Sequence, residues 1–159
     1  MGGVIWKFTE EIERIDEKIK QVAELFQISF PNDFIETVSA NNGGFPKPNC
    51  FEVIDGNEEV FNNLITFDLS SKYSILNIYD GIKDRLMDKV FPFARDPFGN
   101  YLCFDYRNGA NPVIVFWEHE TALIDKNAAI KKVFDTFTEL LDNLYEYEDE
   151  EEEQINEFQ

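Results

Sequence analysis

Three oxygen-bearing side chains near the middle of the chain, those of Asp96, Asn100 and Asp105, have the chemistry to hold a hard cation. A calcium loop places its oxygen ligands at fixed offsets and ends in a bidentate Glu, and that spacing is absent here. The same segment contains the favoured turn residues, with Asp before Pro97 and Gly99 before Asn100. We therefore expect a turn in which Asp96 accepts backbone amides, and we expect no metal and no cofactor.

One imidazole limits the catalytic options. His119 is the only histidine, so a Ser-His-Asp, Cys-His or multi-histidine metal site would have to form around it. It stands between Glu118 and Glu120 just past a predicted strand, which favours a solvated loop position. Glu118 and Asp105 have the chemistry of an acid/base carboxylate pair, but their spacing does not require one. We expect a protein that catalyses nothing.

Two further patterns have ordinary structural explanations. Gly43 and Gly44 follow Asn42 without the additional glycines or the Lys-Ser/Thr of a nucleotide-binding loop, so they are expected to end a helix. Cys50 and Cys103 are too few and too far apart for a disulfide framework, and we expect two buried, reduced thiols.

The charge of the chain indicates what it does not bind. Its 159 residues carry 32 acids against 14 bases, a formal net charge of -18. Affinity for nucleic acid comes mainly from Lys and Arg, so a nucleic acid partner is not expected and a cationic protein fits better. No apolar run reaches the roughly 18 residues of a membrane span and no secretory signal is visible, so we predict no membrane association and a cytoplasmic location.

Helical periodicity is found in four segments. An amphipathic helix is predicted over residues 9–28 with Thr9 as its cap, and a second helix starts at Pro31 and buries Phe34 and Val38. A third is predicted from Ser70 or Ser71 to about residue 88, and a fourth over residues 127–147, where Ile, Phe and Leu form one stripe.

Strands are predicted between these helices. Residues 51–54 and 64–69 are short apolar runs, and residues 90–94, 101–106 and 113–117 resemble an antiparallel meander joined by Gly/Pro/Asn turns. The acidic run 148–153 contains like charges that repel, so we expect one domain over residues 1–147 and a disordered acidic tail over 148–159.

Segments at four places along the chain, the first of them in two parts, resemble the SUKH superfamily, which includes the Smi/Knr cell-wall-assembly regulators and many bacterial immunity proteins. Residues 30–34 are similar to its Leu-Pro-x-x-Tyr segment, with Phe at both ends, and the Gly-Gly turn follows at 42–46. Residues 92–100 resemble its Pro-x-Ala-x-Asp-x-x-Gly-Asn. The aromatic-rich strand at 113–117 and the Phe-x-x-Phe helix containing Phe134 and Phe137 complete the series. The residues identified as motif positions are Pro31, Gly43, Gly44, Pro92, Asp96, Gly99 and Asn100.

The resemblance implies an α+β fold with a twisted, mainly antiparallel or mixed sheet flanked by helices. It also implies an immunity protein that neutralises a cognate bacterial toxin domain, which we expect to be cationic and nuclease-like. A regulatory scaffold of the Smi/Knr type is the alternative, and a small metal-assisted hydrolase is a third reading. Exposed aromatics beside acids suit Arg and Lys of a partner. The residues expected to bind it are Asp55, Glu58, Glu59, Asp96, Phe98, Asp105 and Glu118.

Overall fold

The computed structural model describes residues 3–147, and the acidic tail expected at 148–159 lies outside them. The helices are α1 (Ile15–Phe26), α2 (Asn32–Asn41), α3 (Ile75–Ile82), α4 (His119–Ala122) and α5 (Phe137–Asp142), with a 3-10 turn at Lys83–Arg85. The strands are β1 (Ile5–Lys7), β2 (Phe45–Lys47), β3 (Cys50–Glu52), β4 (Glu58–Val60), β5 (Asn63–Leu64), β6 (Val90–Arg95), β7 (Tyr101–Asp105), β8 (Val113–Trp117) and β9 (Ile130–Phe134).

The strands form one large sheet and two hairpins. The large sheet is antiparallel throughout, in the order β5-β6-β7-β8-β9, while β1 pairs with β2 and β3 pairs with β4. Helices therefore accompany antiparallel sheets, and the predicted α+β class is confirmed.

Both faces of the central strands are covered, which explains why β7 and β8 have four consecutive buried residues each. One face packs its aromatic side chains against α1, α2 and α5. Its centre is Phe34 of α2, whose ring meets those of Phe93, Phe104 and Phe137 edge-on at centroid distances of 5.6, 5.0 and 5.4 Å. On the other face Trp117 packs with Ile82, which ends α3, and with Ala122 of α4.

The meander and α2 were predicted well. The three runs 90–94, 101–106 and 113–117 became β6, β7 and β8 with at most one residue of difference at either end. Pro31 precedes the first residue of α2, and the helix ends at Asn41, next to the predicted Asn-Gly-Gly stop.

The helix predicted over residues 127–147 was wrong in its first half. Residues 130–134 form β9, which pairs with β8, and only Phe137–Asp142 is helical. Ile130 packs with Trp117 and its neighbours, whereas Phe134 packs against the larger aromatic core. Residues 130–134 thus pair with the edge of the sheet although their apolar residues have helical spacing. The helix α5 starts after Thr136, whose side chain caps it by accepting a hydrogen bond from Glu139 N.

Other boundaries also moved. The first helix begins at Ile15 instead of Thr9, after Arg14 in a left-handed conformation, because residues 3–10 form β1 and its connection to the rest of the fold. The third is capped by Ser74, not by Ser70 or Ser71, and ends at Ile82 before the 3-10 turn. Strand 51–54 became Cys50–Glu52, and of 64–69 only Leu64 is in a strand.

The Gly-Gly turn is where the N-terminal arm meets the rest of the chain. Gly43 has a φ of +69°, which favours glycine. A Cβ on Gly44 would lie 2.8 Å from the Asn41 carbonyl oxygen, which requires glycine there, and 3.2 Å from the Trp6 ring of the arm, which packs tightly beside it. Pro92 lies in β6, where the pairing with β7 shifts register. Strand β5 pairs only with Ala94 and Arg95 of β6, so the missing N–H of Pro92 removes no hydrogen bond to β5.

Candidate protein-binding surface

Asp96 is placed in the turn between β6 and β7 and is only 4% exposed. Its Oδ1 accepts hydrogen bonds from the backbone N–H groups of Phe98 at 2.8 Å and Asn100 at 2.7 Å, and its Oδ2 accepts one from Asn100 Nδ2 at 2.8 Å. Gly99 closes the turn with a φ of +89°. The carboxylate is thus fully engaged in the turn, so Asp96 is not available for direct contact with a partner.

Asp105 is also unavailable, and it is far from the other predicted binding residues. It is 6% exposed and forms an ion pair with Arg107, with Nε and Nη2 of the guanidinium at 3.0 and 2.8 Å. It lies at the opposite end of β7 from Tyr101, about 13 Å along the strand. Glu118 lies at the other end of the sheet, because it follows Trp117, which pairs with Tyr101. The carboxylates of Asp105 and Glu118 are therefore too far apart to form an acid/base pair.

Three of the predicted acids do meet at one end of the large sheet. Lys131 of β9 places its Nζ 2.8 Å from Asp55 Oδ2 and 2.8 Å from Glu118 Oε1. These hydrogen bonds, the one to Asp55 first, raise the pKa of Lys131. Burial, followed by the charges of Asp96 and Glu118, raises the pKa of Glu59. Asp55, Glu59 and Glu118 therefore concentrate negative charge around a single lysine.

Glu58 does not belong to this group. Neighbouring residues of a strand point to opposite faces, and Glu58 accepts a hydrogen bond from the Tyr145 hydroxyl at 2.7 Å. Its cross-strand partner in β3 is Glu52, whereas Glu59 lies opposite Phe51. The structure therefore separates two acids that the sequence places side by side.

Large apolar side chains are exposed in the turn that holds Asp55 and in the two loops that leave the sheet at this end. They are Ile54 (80% exposed) in the β3–β4 turn, Phe98 (72%) in the β6–β7 turn, and Leu123 (72%) and Ile124 (90%) directly after α4. We call these four residues, together with Asp55, Glu59 and Glu118, the turn-end surface. Only Phe98 among the four was predicted, although apolar residues inside turn-rich segments were a signal that could have identified the others.

His119 and Asn100 connect two of these loops. Asn100 Oδ1 accepts the backbone N–H of His119 at 2.9 Å and lies 2.7 Å from its ring Nδ1. Gly99 lies against the same ring: a Cβ there would be in van der Waals contact with Nδ1 at 3.4 Å, and it is the φ of +89° that favours glycine at this position. The imidazole is therefore held against the β6–β7 turn, where the sequence predicted a solvated loop residue.

Two grooves lie away from the turn-end surface. One, of about 560 Å³, is bounded by the end of α1 and the start of β6 and is lined by Phe26, Phe91 and Tyr106. The other, of about 450 Å³, is lined by Pro31, Phe104 and Phe137 and has Asp33 at its rim, which is occupied by the N–H and hydroxyl of Thr138. In residues 3–147 no three His, Cys, Asp or Glu side chains are grouped so that they could hold a metal ion.

Comparison with known families agrees with this architecture. The family model described as SUKH_6, SMI1-KNR4 cell-wall, matches residues 16–141, from the second residue of α1 to the last but one of α5. No curated protein matches the chain. In the part of the chain that the structure describes, no helix is both long and apolar enough to cross a membrane. Because the match covers most of its length, the chain belongs to the SMI1-KNR4 family of the SUKH superfamily.

Proposed function

We propose that this protein binds and neutralises a cognate bacterial toxin domain, and that the toxin is a cationic, nuclease-type protein in the cytoplasm. The family includes immunity proteins, which act by occupying a protein partner without catalysis. The observation that carries the proposal is the turn-end surface, where four exposed apolar side chains stand beside three carboxylates.

Charge favours this kind of partner over a second copy of the chain. With a formal net charge of -18, two copies repel each other over a distance set by the ionic strength. A toxin that binds nucleic acid is usually basic, and opposite charges speed association and compete with its substrate. The apolar side chains then supply the buried area that an ionic contact alone does not give.

Three predicted binding residues are replaced in the proposal. Asp96 and Asp105 are buried and paired, and Glu58 faces Tyr145, so we assign contact with the toxin to the turn-end surface instead. The acidic segment at 148–159 is proposed to be a tail outside the folded domain at 1–147, adding long-range attraction and no specificity.

Affinity purification from the native host tests the proposal. We expect one basic protein in stoichiometric amount, lethal when expressed alone and harmless when co-expressed with this chain. Recovery of signalling or envelope proteins in place of a toxin would support the regulatory scaffold instead.

A pair of variants tests the surface. Ile124→Ser should weaken capture of the toxin, because Ile124 is 90% exposed beside α4. Leu25→Ser is the control, since Leu25 is 61% exposed on α1, away from the turn-end surface. Equal capture by both variants and the unmodified protein would place the interface elsewhere.

A further inference from the structure

We propose that Lys131 occupies the position that a basic side chain of the partner takes on binding, so that this lysine is an intramolecular competitor for the partner. The inference rests on the proposed function, since it concerns the same surface. It identifies the group recognised there as an ammonium or guanidinium placed between Asp55 and Glu118.

The residues that carry the two carboxylates are held in place before any partner arrives. Asp55 uses Oδ1 to accept the N–H of Asn57 at 3.1 Å, which leaves Oδ2 facing Lys131. Glu118 is fixed by its backbone, which donates to the Ala129 carbonyl at 3.0 Å and accepts from Ala122 N at 3.1 Å. A cation arriving between them therefore meets a preorganised pair of acceptors.

Lys131 is also easy to replace. Its side chain is 33% exposed, and those of Asp55 and Glu118 are 43% and 32% exposed. Ion pairs as exposed as these contribute little to stability, so exchanging one cation for another carries a small cost. Glu59 makes no ion pair within residues 3–147 and leaves the group with three carboxylates against one ammonium.

The apolar side chains favour a particular kind of ligand. Ile54 precedes Asp55, and Phe98 lies in the turn that contacts His119, the residue after Glu118. Such neighbours can cover the aliphatic stem of a long basic side chain, whereas a bare metal ion or a small inorganic cation gains nothing from them. A basic segment with apolar residues beside its cations is the partner that fits.

Lys132 provides a matched control. It neighbours Lys131 in β9 and carries the same charge, but it pairs with Asp135 and is 53% exposed. Replacing either lysine by Gln changes the net charge of the protein equally. A difference between the two variants therefore reports the local position and not the total charge.

The experiment is an NMR titration of the full ¹⁵N-labelled chain with the capped peptide Arg-Leu-Arg-Leu-Arg at low ionic strength. We expect saturable shifts concentrated at residues 54–59, 98–100 and 118–124. Lys131→Gln should bind the peptide about two- to thirtyfold more tightly, the ratio expected for loss of two exposed competing ion pairs, those with Asp55 and Glu118. Lys132→Gln should remain within about twofold of the unmodified protein, and Asp55→Asn should bind more weakly.

Whether each variant binds the peptide more tightly or more weakly distinguishes competition by Lys131 from a structural role. Lys131→Gln and Asp55→Asn break the same ion pair, so a merely structural role for the pair makes both variants bind more weakly and overturns the inference. Equal affinity of Lys131→Gln and Lys132→Gln, or shifts spread over the whole acidic surface, also overturns it. Lys131→Met repeats the test with the aliphatic stem retained. Because no toxin is used, failure here is distinct from failure of the purification to yield a toxin.

Discussion

Asn100 holds His119 through a single oxygen atom. Its Oδ1 accepts the backbone N–H of His119 at 2.9 Å and contacts the ring Nδ1 at 2.7 Å. Since Asn100 Nδ2 donates to Asp96 Oδ2 at 2.8 Å, the amide orientation is set, and the imidazole proton in this contact must be on Nδ1. A chain of hydrogen bonds thus runs from the buried Asp96 to the start of α4, and it fixes the loop that presents Leu123 and Ile124.

Removing this link should be costly. Asn100→Ala deletes the side-chain hydrogen bonds to Asp96 and His119, while the backbone N–H of residue 100 still bonds Asp96, and should lower the free energy of unfolding by about 2–3 kcal/mol. Asn143→Ala is the control, because its side chain makes one exposed hydrogen bond to the Glu139 carbonyl and should cost less than about 1 kcal/mol. Urea denaturation measures both, and similar losses in the two variants would refute the role of Asn100.

Glycine is required at one position and unfavourable at another. Gly44→Ala places a Cβ 2.8 Å from the Asn41 carbonyl oxygen and 3.1 Å from Thr9 Cγ2, so stability should fall by about 2 kcal/mol or more. Gly81 lies in α3 with no atom within 4 Å of an added Cβ, so Gly81→Ala should raise stability by about 0.5–1 kcal/mol. Thermal unfolding of both variants measures these changes, and a tolerated Gly44→Ala would contradict the close packing of the Asn41 carbonyl and Thr9 around this glycine.

Sequence patterns were informative where local chemistry decides the structure. The meander was visible because Asp-Pro, Gly-Asn and Asn-Gly turns separate runs of aromatic and β-branched residues. The position of Asp96 in its turn followed from the same reasoning, since an Asp side chain accepts amides two and four residues ahead.

Patterns failed where pairing partners are distant in sequence. Ile130 and Phe134 have helical spacing, but their segment forms strand β9 because it pairs with the edge of the sheet at β8. β1 pairs with β2 across some forty residues of chain, and no local signal marks it. For the same reason the grouping of Asp55 with Glu118 could not be read from the sequence, because it depends on Lys131 in the strand that was predicted as helix.

Both cysteines should be inert in the folded protein. Cys103 is completely buried, and burial, followed by the charge of Asp105, raises the pKa of its thiol well above the usual value. Cys50 is 2% exposed, and burial and then Glu58 raise the pKa of its thiol as well. The thiolate is the reactive form, so neither should react with a disulfide reagent such as DTNB until urea unfolds the chain. Rapid modification of the native protein would contradict the burial of these residues.

Two acids of the turn-end surface should affect stability with opposite sign. Burial and the charges of Asp96 and Glu118 raise the pKa of Glu59, so its ionised form opposes folding above that pKa, and the penalty disappears as the pH falls through it. Hydrogen bonds from Lys131 and then from the Asn57 amide lower the pKa of Asp55. Asp55 therefore stabilises the fold above its unfolded pKa, and this contribution is lost as the pH falls through the lowered value.

At about pH 7, Glu59→Gln should accordingly raise the midpoint of urea unfolding, and Asp55→Asn should lower it. Both effects should vanish in strong acid, where each carboxyl is protonated in the folded and in the unfolded chain. Urea titrations at several pH values measure this. If Glu59→Gln instead lowers stability near neutral pH, Glu59 has a stabilising partner and the surface does not carry the excess negative charge on which attraction of a basic partner depends. The same variant separates stability from binding, since a more stable protein that holds the Arg-Leu peptide less tightly would show that Glu59 is kept for recognition at the expense of the fold.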